Sequence, residues 1–133
     1  MTEDRQRVSG IGGVMFRVRD TALMSEWYRS RLGLEPEADH PSPLWRQTGG
    51  STAFSPVAED SGYFGRPEQQ VLVTFRVRDL EAMAAQLRRM GEVVDVAPEP
   101  YENGRYARLT DPEGNTVELW EPAGADADVE EGR

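Results

Sequence analysis

Cysteine and lysine are both missing from this chain of 133 residues, and only one histidine, His40, is present. The absence of cysteine excludes disulfides, thiolate nucleophiles and thiolate metal sites together. Without lysine, the N-terminus is the only amine that could form a Schiff base. Any chemistry must therefore come from carboxylates, arginine, tyrosine, hydroxyl groups and the backbone.

Long apolar runs are missing as well, and no stretch approaches the roughly 20 residues of a membrane helix. Residues 2–7 are polar and have no apolar segment behind them, so no secretory signal is expected. We therefore expect a cytoplasmic protein with no membrane partner. The formal net charge is −9, and because an acidic surface repels phosphate backbones we expect no nucleic-acid partner.

One pentapeptide occurs twice. The sequence Phe-Arg-Val-Arg-Asp fills positions 16–20 and returns at positions 75–79, which is 75 − 16 = 59 residues later. After each copy, apolar residues recur at helical spacing until a glycine, Gly33 in the first case and Gly91 in the second. A repeat at this distance indicates that one supersecondary unit has been used twice.

Each half is predicted to contain a strand, a helix and three further strands. In the first half the strands are expected at 11–19, 34–37, 44–47 and 51–55, and the helix ends at Gly33. In the second half the strands are expected at 71–78, 92–96, 105–110 and 116–121, with a helix over 80–90. Each helix is expected to pack on the apolar face of its own sheet.

The predicted fold class is α+β, with two βαβββ modules forming curved mixed sheets around a cleft and helices on the outer faces. The folded domain spans 8–122, made of module one at 8–57, a loop at 58–69 and module two at 70–122. Residues 1–7 and 123–133 are expected to be disordered tails.

The last hairpin carries the clearest local signal. Asp111 and Pro112 open a turn and Gly114 and Asn115 supply positive φ, so strands on either side should pair across it. Counting back from this turn places Arg108 opposite Glu118 and Tyr106 opposite Trp120.

These features resemble the glyoxalase/bleomycin-resistance/extradiol-dioxygenase group, the vicinal oxygen chelate superfamily. The resemblance rests on the repeated βαβββ order, the strand-Asp-helix-Leu-Gly opening and the closing segment Asp-Pro-Glu-Gly-Asn-Thr-Val-Glu-Leu-Trp at 111–120. It implies a fold that hosts isomerases, lyases, ring-cleaving dioxygenases, antibiotic-modifying enzymes and drug-binding proteins. It also implies a homodimer, in which modules pair within one chain or swap between two.

In metal-using members of that group, four positions on the concave face hold the ion. The resemblance maps them onto Gly13, Thr52, Leu72 and Glu118, of which only Glu118 is a strong ligand. A transition metal normally needs about three protein side chains, and His40 lies off the pattern in a loop. We therefore expect no metal and no cofactor.

Arginine replaces the missing ligands in the predicted cleft. Arg17 and Arg76 are related by the repeat, and both should project into it together with Arg108. A guanidinium recognises carboxylate or phosphate through a bidentate fork. The alternative is that these arginines and Glu118 satisfy one another as a buried ionic network. The predicted aromatic ligand contacts are Trp45, Phe54, Tyr63, Phe64, Tyr106 and Trp120.

Three functions stay open at this point. The first is a metal-independent small-molecule binding protein of the bleomycin-resistance type, whose ligand is partly apolar with an anionic or polar group. The second is a glyoxalase-like lyase or isomerase, or a dioxygenase, using Glu118 as its catalytic residue, for example as a general base. The third is an interaction domain with a vestigial cleft.

Overall fold

The computed structural model describes residues 5–38 and 44–127. These described residues contain two α-helices, four strands and a short 3-10 helix. In chain order these are α1 (Thr21–Leu32), β1 (Val73–Arg76), α2 (Leu80–Arg89), β2 (Asp95–Val96), β3 (Gly104–Thr110), β4 (Thr116–Pro122) and the 3-10 turn Gly124–Asp126.

Both copies of the repeated pentapeptide end on a helix cap. The Asp20 carboxylate accepts a hydrogen bond from the Leu23 amide at 3.0 Å, and Asp79 accepts one from the Ala82 amide at 3.0 Å. Each aspartate thereby satisfies one of the amides that the first helical turn leaves unpaired. Helix α1 ends at Gly33, whose φ of 79° is readily adopted only by glycine. The end of α1 at Gly33 is as the sequence predicts.

The four strands form one mixed sheet in the order β1-β4-β3-β2. Strand β1 runs parallel to β4, whereas β3 is antiparallel to both β4 and β2. The Asp111–Asn115 turn joins β3 to β4, and Asp111 is held there by hydrogen bonds from the Glu113 and Asn115 amides. The predicted hairpin is therefore confirmed.

The hydrophobic core lies between this sheet and α2. Its fully buried members include Leu80 and Leu87 from α2 and Val117 and Leu119 from β4. The side chains alternate along each strand, so β3 and β4 bury one apolar face and leave the opposite face for polar residues. That opposite face carries the candidate site.

The strands predicted at 11–19, 34–37, 44–47 and 51–55 are not formed, because the structure assigns none of those residues to a strand. Instead of two curved sheets around a cleft, the described residues contain one four-stranded sheet. Alternating apolar residues predict which face a strand would bury, but a strand also needs a neighbour for its backbone groups. Large apolar side chains in this half stay exposed, among them Met15 at 89% and Phe54 at 85%.

The sequence predicts that helix α1 packs on a sheet of its own half. In the structure it packs instead against the core of the second half. Trp27 is buried in the cluster that α2 and the sheet form, and Tyr28 packs beside it. The Trp27 indole Nε1 donates to Glu92 Oε2 at 2.9 Å, and the Tyr28 hydroxyl donates to Asp111 Oδ2 at 2.8 Å. Since the described part of the first half forms no sheet, this core is the apolar surface that α1 can cover.

Candidate ligand-binding site

Strands β3 and β4 bring four predicted side chains to the polar face of the sheet. In the observed register Tyr106 is opposite Trp120 and Arg108 is opposite Glu118, as predicted from the turn. Their neighbours Ala107 and Leu119 point into the core on the other face. The hairpin therefore holds two aromatic rings and one ion pair side by side.

Glu118 is the buried charge of this face, with a relative exposure of 5%. Its carboxylate accepts hydrogen bonds from the Thr74 hydroxyl at 2.8 Å, the Tyr63 hydroxyl at 3.2 Å and Arg108 Nε at 3.3 Å. A carboxylate can be buried at tolerable free energy only when it is paired and hydrogen-bonded in this way. Glu118 is therefore an acceptor with most of its lone pairs already used.

Tyr63 reaches this ion pair from the loop that precedes β1. Its backbone carbonyl accepts a hydrogen bond from Arg108 Nη1 at 2.6 Å, and the Arg108 guanidinium carbon lies 4.6 Å from the centre of its ring. Burial and the negative charge of Glu118 raise the pKa of the Tyr63 phenol above its usual range. Its hydroxyl therefore stays protonated near neutral pH and serves as a donor.

An aromatic wall continues from Arg108 along β3. The rings of Tyr106 and Trp120 are stacked with an interplanar angle of 4° and centroids 6.1 Å apart. The rings of Tyr101 and Tyr106 pack edge to face, with their centroids 5.8 Å apart. Trp120 Nε1 donates a hydrogen bond to the Asn103 carbonyl at 2.9 Å. These contacts fix the ring of Tyr106 in one orientation. Burial raises the pKa of its phenol.

A cavity of about 790 Å³ lies against this wall. The volume falls within the roughly 300–1,000 Å³ typical of small-molecule sites. Residues that line it include Tyr63, Val96, Tyr101, Tyr106, Arg108 and Glu118. The lining therefore combines aromatic and apolar side chains with a guanidinium beside a carboxylate.

The structure does not bring all predicted site residues to this cavity. Arg76 donates to the carbonyls of Thr48 and Gly49, and Arg17 lines a separate small depression on the far side of the β3–β4 turn. Trp45 lies against Phe75, Phe54 is exposed, and Phe64 touches the edge of Tyr63. Trp120 stands behind Tyr106.

Sequence reasoning missed one segment that lines the cavity, namely β2 and the loop after it. Asp95, Val96, Pro98 and Tyr101 line the cavity from β2 and the loop after it. The signal that could have found it was an aromatic residue in a proline-rich loop, the same kind of signal that selected Tyr63.

The side chains around Glu118 do not form a donor set for a transition metal. Within residues 5–38 and 44–127 no group of three histidine, aspartate or glutamate side chains lies close enough to hold an ion, and His40 falls outside the described residues. Of the four positions mapped for a metal, Gly13 and Leu72 have no ligating atom in their side chains. The carboxylate that remains is held by Thr74, Tyr63 and Arg108 instead.

Comparison with known protein families identifies the family of this chain. The sequence profile of the Glyoxalase/Bleomycin resistance protein/Dioxygenase superfamily matches residues 10–119, which is most of the chain. The chain belongs to this superfamily. No curated protein matches the chain.

Several solved structures are similar to this chain in fold. One is TnmS3, an antibiotic binding protein from Streptomyces sp. CB03234, with 23% identity, a TM-score of 0.61 and coverage of 90% of this chain and 100% of that one. A glyoxalase/bleomycin resistance protein from the same Streptomyces strain has 24% identity and a TM-score of 0.51. The match covers 78% of this chain and 93% of that one. A structure from the mobile metagenome of V. Pseudocholerae has 17% identity and a TM-score of 0.60. The match covers 90% of this chain and 98% of that one.

None of the helices within the described residues is long and apolar enough to cross a membrane.

Proposed function

We propose that this superfamily member is a metal-independent small-molecule binding protein whose ligand occupies the cavity beside β3. The observation that carries the proposal is the juxtaposition of Arg108 with the rigid ring of Tyr106 in a cavity of about 790 Å³. The likeness in fold to an antibiotic binding protein supports it.

The ligand class follows from the two halves of the lining. The faces of Tyr101 and Tyr106 suit a planar apolar group. Arg108 uses Nε for Glu118 and one N–H of Nη1 for the Tyr63 carbonyl. A guanidinium has five N–H donors, so three remain for a carboxylate or another polar group on the ligand.

Metal independence rests on how Glu118 is used. Because three donors converge on its carboxylate, an ion would have to displace them and would still have one strong protein ligand. The same three contacts weaken the reading of Glu118 as a general base, since a base needs a free lone pair aimed at the substrate. An interaction domain with a vestigial cleft is less favoured, because the cavity beside Glu118 is open.

A pair of matched probes tests this proposal. 1-Naphthoate and 1-naphthamide share a fused ring and differ in the anionic group, and their binding can be followed by tryptophan fluorescence, with calorimetry as a check. We expect naphthoate to bind more tightly than naphthamide, by about tenfold for a charged hydrogen bond at a partly exposed site. Arg108→Gln should abolish this preference.

Arg105→Gln is the control for that experiment. Arg105 lies on the same strand but pairs with Glu81 at 2.7 Å near α2, so the variant changes the net charge equally without touching the cavity. Equal preference for naphthoate in wild type and Arg108→Gln would refute the assignment of Arg108. Stoichiometric zinc, iron or nickel in protein purified without chelator, together with loss of naphthoate binding on chelation, would refute metal independence.

We further propose that two copies of the chain associate as a homodimer, in which the first half completes a second βαβββ module. The two pentapeptide copies have the same alternation, yet only the second lies in a sheet. Strand β1 is at one edge of that sheet, where a further strand could add through its backbone. Exposed apolar residues such as Val14, Phe16 and Phe54 would be covered by the pairing.

Sedimentation equilibrium and hydrogen exchange test the dimer together. The expected mass is twice the 14.9 kDa of the chain, and the amides of residues 13–18 should exchange slowly in the dimer, as paired strands do. A monomeric mass at micromolar concentration would refute it. A dimer with fast exchange at 13–18 would refute the role given to this segment.

A further inference from the structure

A second depression lies on the far side of the β3–β4 turn from the ligand cavity. It has a volume of about 280 Å³ and is lined by Arg17, Val18, Arg19, Arg66, Glu113 and Asn115. Three arginines and one glutamate thus line it, and the carboxylates of Asp20 and Asp111 adjoin these residues.

The carboxylate in this depression is already engaged by the backbone. Glu113 accepts hydrogen bonds from the Arg19 amide at 2.8 Å and 3.0 Å, and from the Asp20 amide at 2.8 Å. Among the described residues, no arginine side chain of the depression forms an ion pair with Glu113. The Glu113 carboxylate therefore fixes the segment that carries Arg17 and Arg19 against the turn. The guanidiniums of these arginines stay available to bind a ligand.

Arg66 is held in place from the other side. Its Nη2 donates to Asn115 Oδ1 at 3.1 Å, and the Asn115 amide nitrogen donates in turn to Asp111 Oδ2 at 2.8 Å. The Arg66 guanidinium lies so close over Gly114 that a Cβ there would be 2.9 Å from Nη1. Unlike a freely rotating surface arginine, Arg66 needs little further ordering to bind an anion.

From these contacts we propose that the depression is a binding site for a dianionic oxyanion, namely a phosphoryl group, either as the free ion or as a monoester. Arginine binds the oxygens of such a group through two parallel N–H donors, and both Arg17 and Arg66 line the depression. At about 0.1 M salt, charges more than roughly 10 Å away are largely screened. The carboxylates that adjoin the depression, those of Glu113, Asp20 and Asp111, each already accept hydrogen bonds from backbone amides.

This site shares no lining residue with the naphthoate cavity, and Arg17 lies in the segment that is proposed to pair in the dimer. Strand pairing by residues 13–18 would use backbone groups, so it would not consume the guanidinium of Arg17. Failure of the phosphoryl site would therefore leave the proposed function unaffected.

The test is a titration of the 15N-labelled chain of 133 residues with inorganic phosphate and, separately, with phenyl phosphate. Ionic strength is held constant with sodium chloride, and backbone amide resonances are followed by NMR. We expect saturable shifts at Arg19, Asp20 and Asn115. A lower dissociation constant for phenyl phosphate assigns a monoester as the natural ligand, and equal constants assign the free ion.

The double variant Arg17→Gln/Arg66→Gln should raise the dissociation constant at least about tenfold, since it removes both charged forks. Arg89→Gln, an exposed arginine at the end of α2, is the control and should leave the constant unchanged. Non-saturable shifts in wild type, or an equal dissociation constant in the double variant, would overturn the proposal. An unchanged circular dichroism spectrum and unfolding midpoint in the double variant exclude misfolding as the cause of a loss.

Discussion

Replacing Tyr28 with phenylalanine removes a single hydroxyl that connects α1 to the β3–β4 turn. That hydroxyl donates to Asp111 Oδ2 at 2.8 Å, and Asp111 is buried with a relative exposure of 3%. A hydrogen bond to a charged group contributes about 1.5–3 kcal/mol. Asp111 keeps three other donors, from the Glu113 amide, the Asn115 amide and the Asn115 side chain. We therefore expect a loss of about 1.5 kcal/mol, at the lower end of that range.

Urea unfolding at pH 7, followed by circular dichroism, measures this loss. For a chain of this size, about 1.5 kcal/mol corresponds to a fall in Tm of roughly 4–8 °C. Tyr101→Phe is the matched control, because Tyr101 is 64% exposed and its hydroxyl has no hydrogen-bond partner in the described structure. Equal stabilities of Tyr28→Phe and Tyr101→Phe would refute the role of this hydroxyl.

The same contact predicts a pH dependence of definite sign. Burial and the neighbouring Asp111 raise the pKa of the Tyr28 phenol far above its unfolded value of 10.0. A raised pKa contributes stability that is fully present below the unfolded pKa and is lost as pH rises towards the folded one. The difference in free energy of unfolding between wild type and Tyr28→Phe should be constant below about pH 9 and shrink above pH 10. A difference that grows above pH 10 would contradict this reasoning.

Two further substitutions test the sheet and its core. Gly104→Ala should destabilise the protein by more than about 2 kcal/mol, because φ is 135° and the new Cβ would collide with the backbone carbonyl of Glu121. The control is Gly91→Ala, at a φ of 94° with open space around the new Cβ, which should destabilise the protein by only about 1 kcal/mol. Equal losses of stability in the two variants would contradict the predicted collision. Leu119→Ala, at a fully buried position, should lower the free energy of unfolding in urea by about 2–5 kcal/mol. Leu23→Ala, at a half-exposed position, should lower it by less than about 1 kcal/mol. The reverse order would mean that the core lies elsewhere.

The second half of the chain was predictable in detail, because its signals are local. The turn at Asp111–Asn115 fixes the pairing of β3 with β4, and this is why counting residues from the turn correctly places Arg108 opposite Glu118. The helical spacing of apolar residues up to Gly33 is likewise a local signal, and α1 ends there.

The first half was not predictable in the same way. Its alternating residues have the pattern of strands, but whether a strand forms depends on a neighbouring edge that the local sequence does not encode. For the same reason, the packing of Trp27 against α2 could not be foreseen from its helical spacing. In the site, the repeat related Arg17 to Arg76, yet the two lie in different surroundings because their segments are paired differently.

The most direct measurement of the central claim is an amide NMR titration of the full chain with 1-naphthoate. If the ligand binds between the aromatic wall and Arg108, saturable shifts should centre on Val96, Tyr106, Arg108 and Glu118, and Arg108→Gln should weaken them. Shifts confined to the exposed apolar residues of the first half, with the β3–β4 resonances unmoved, would contradict the account.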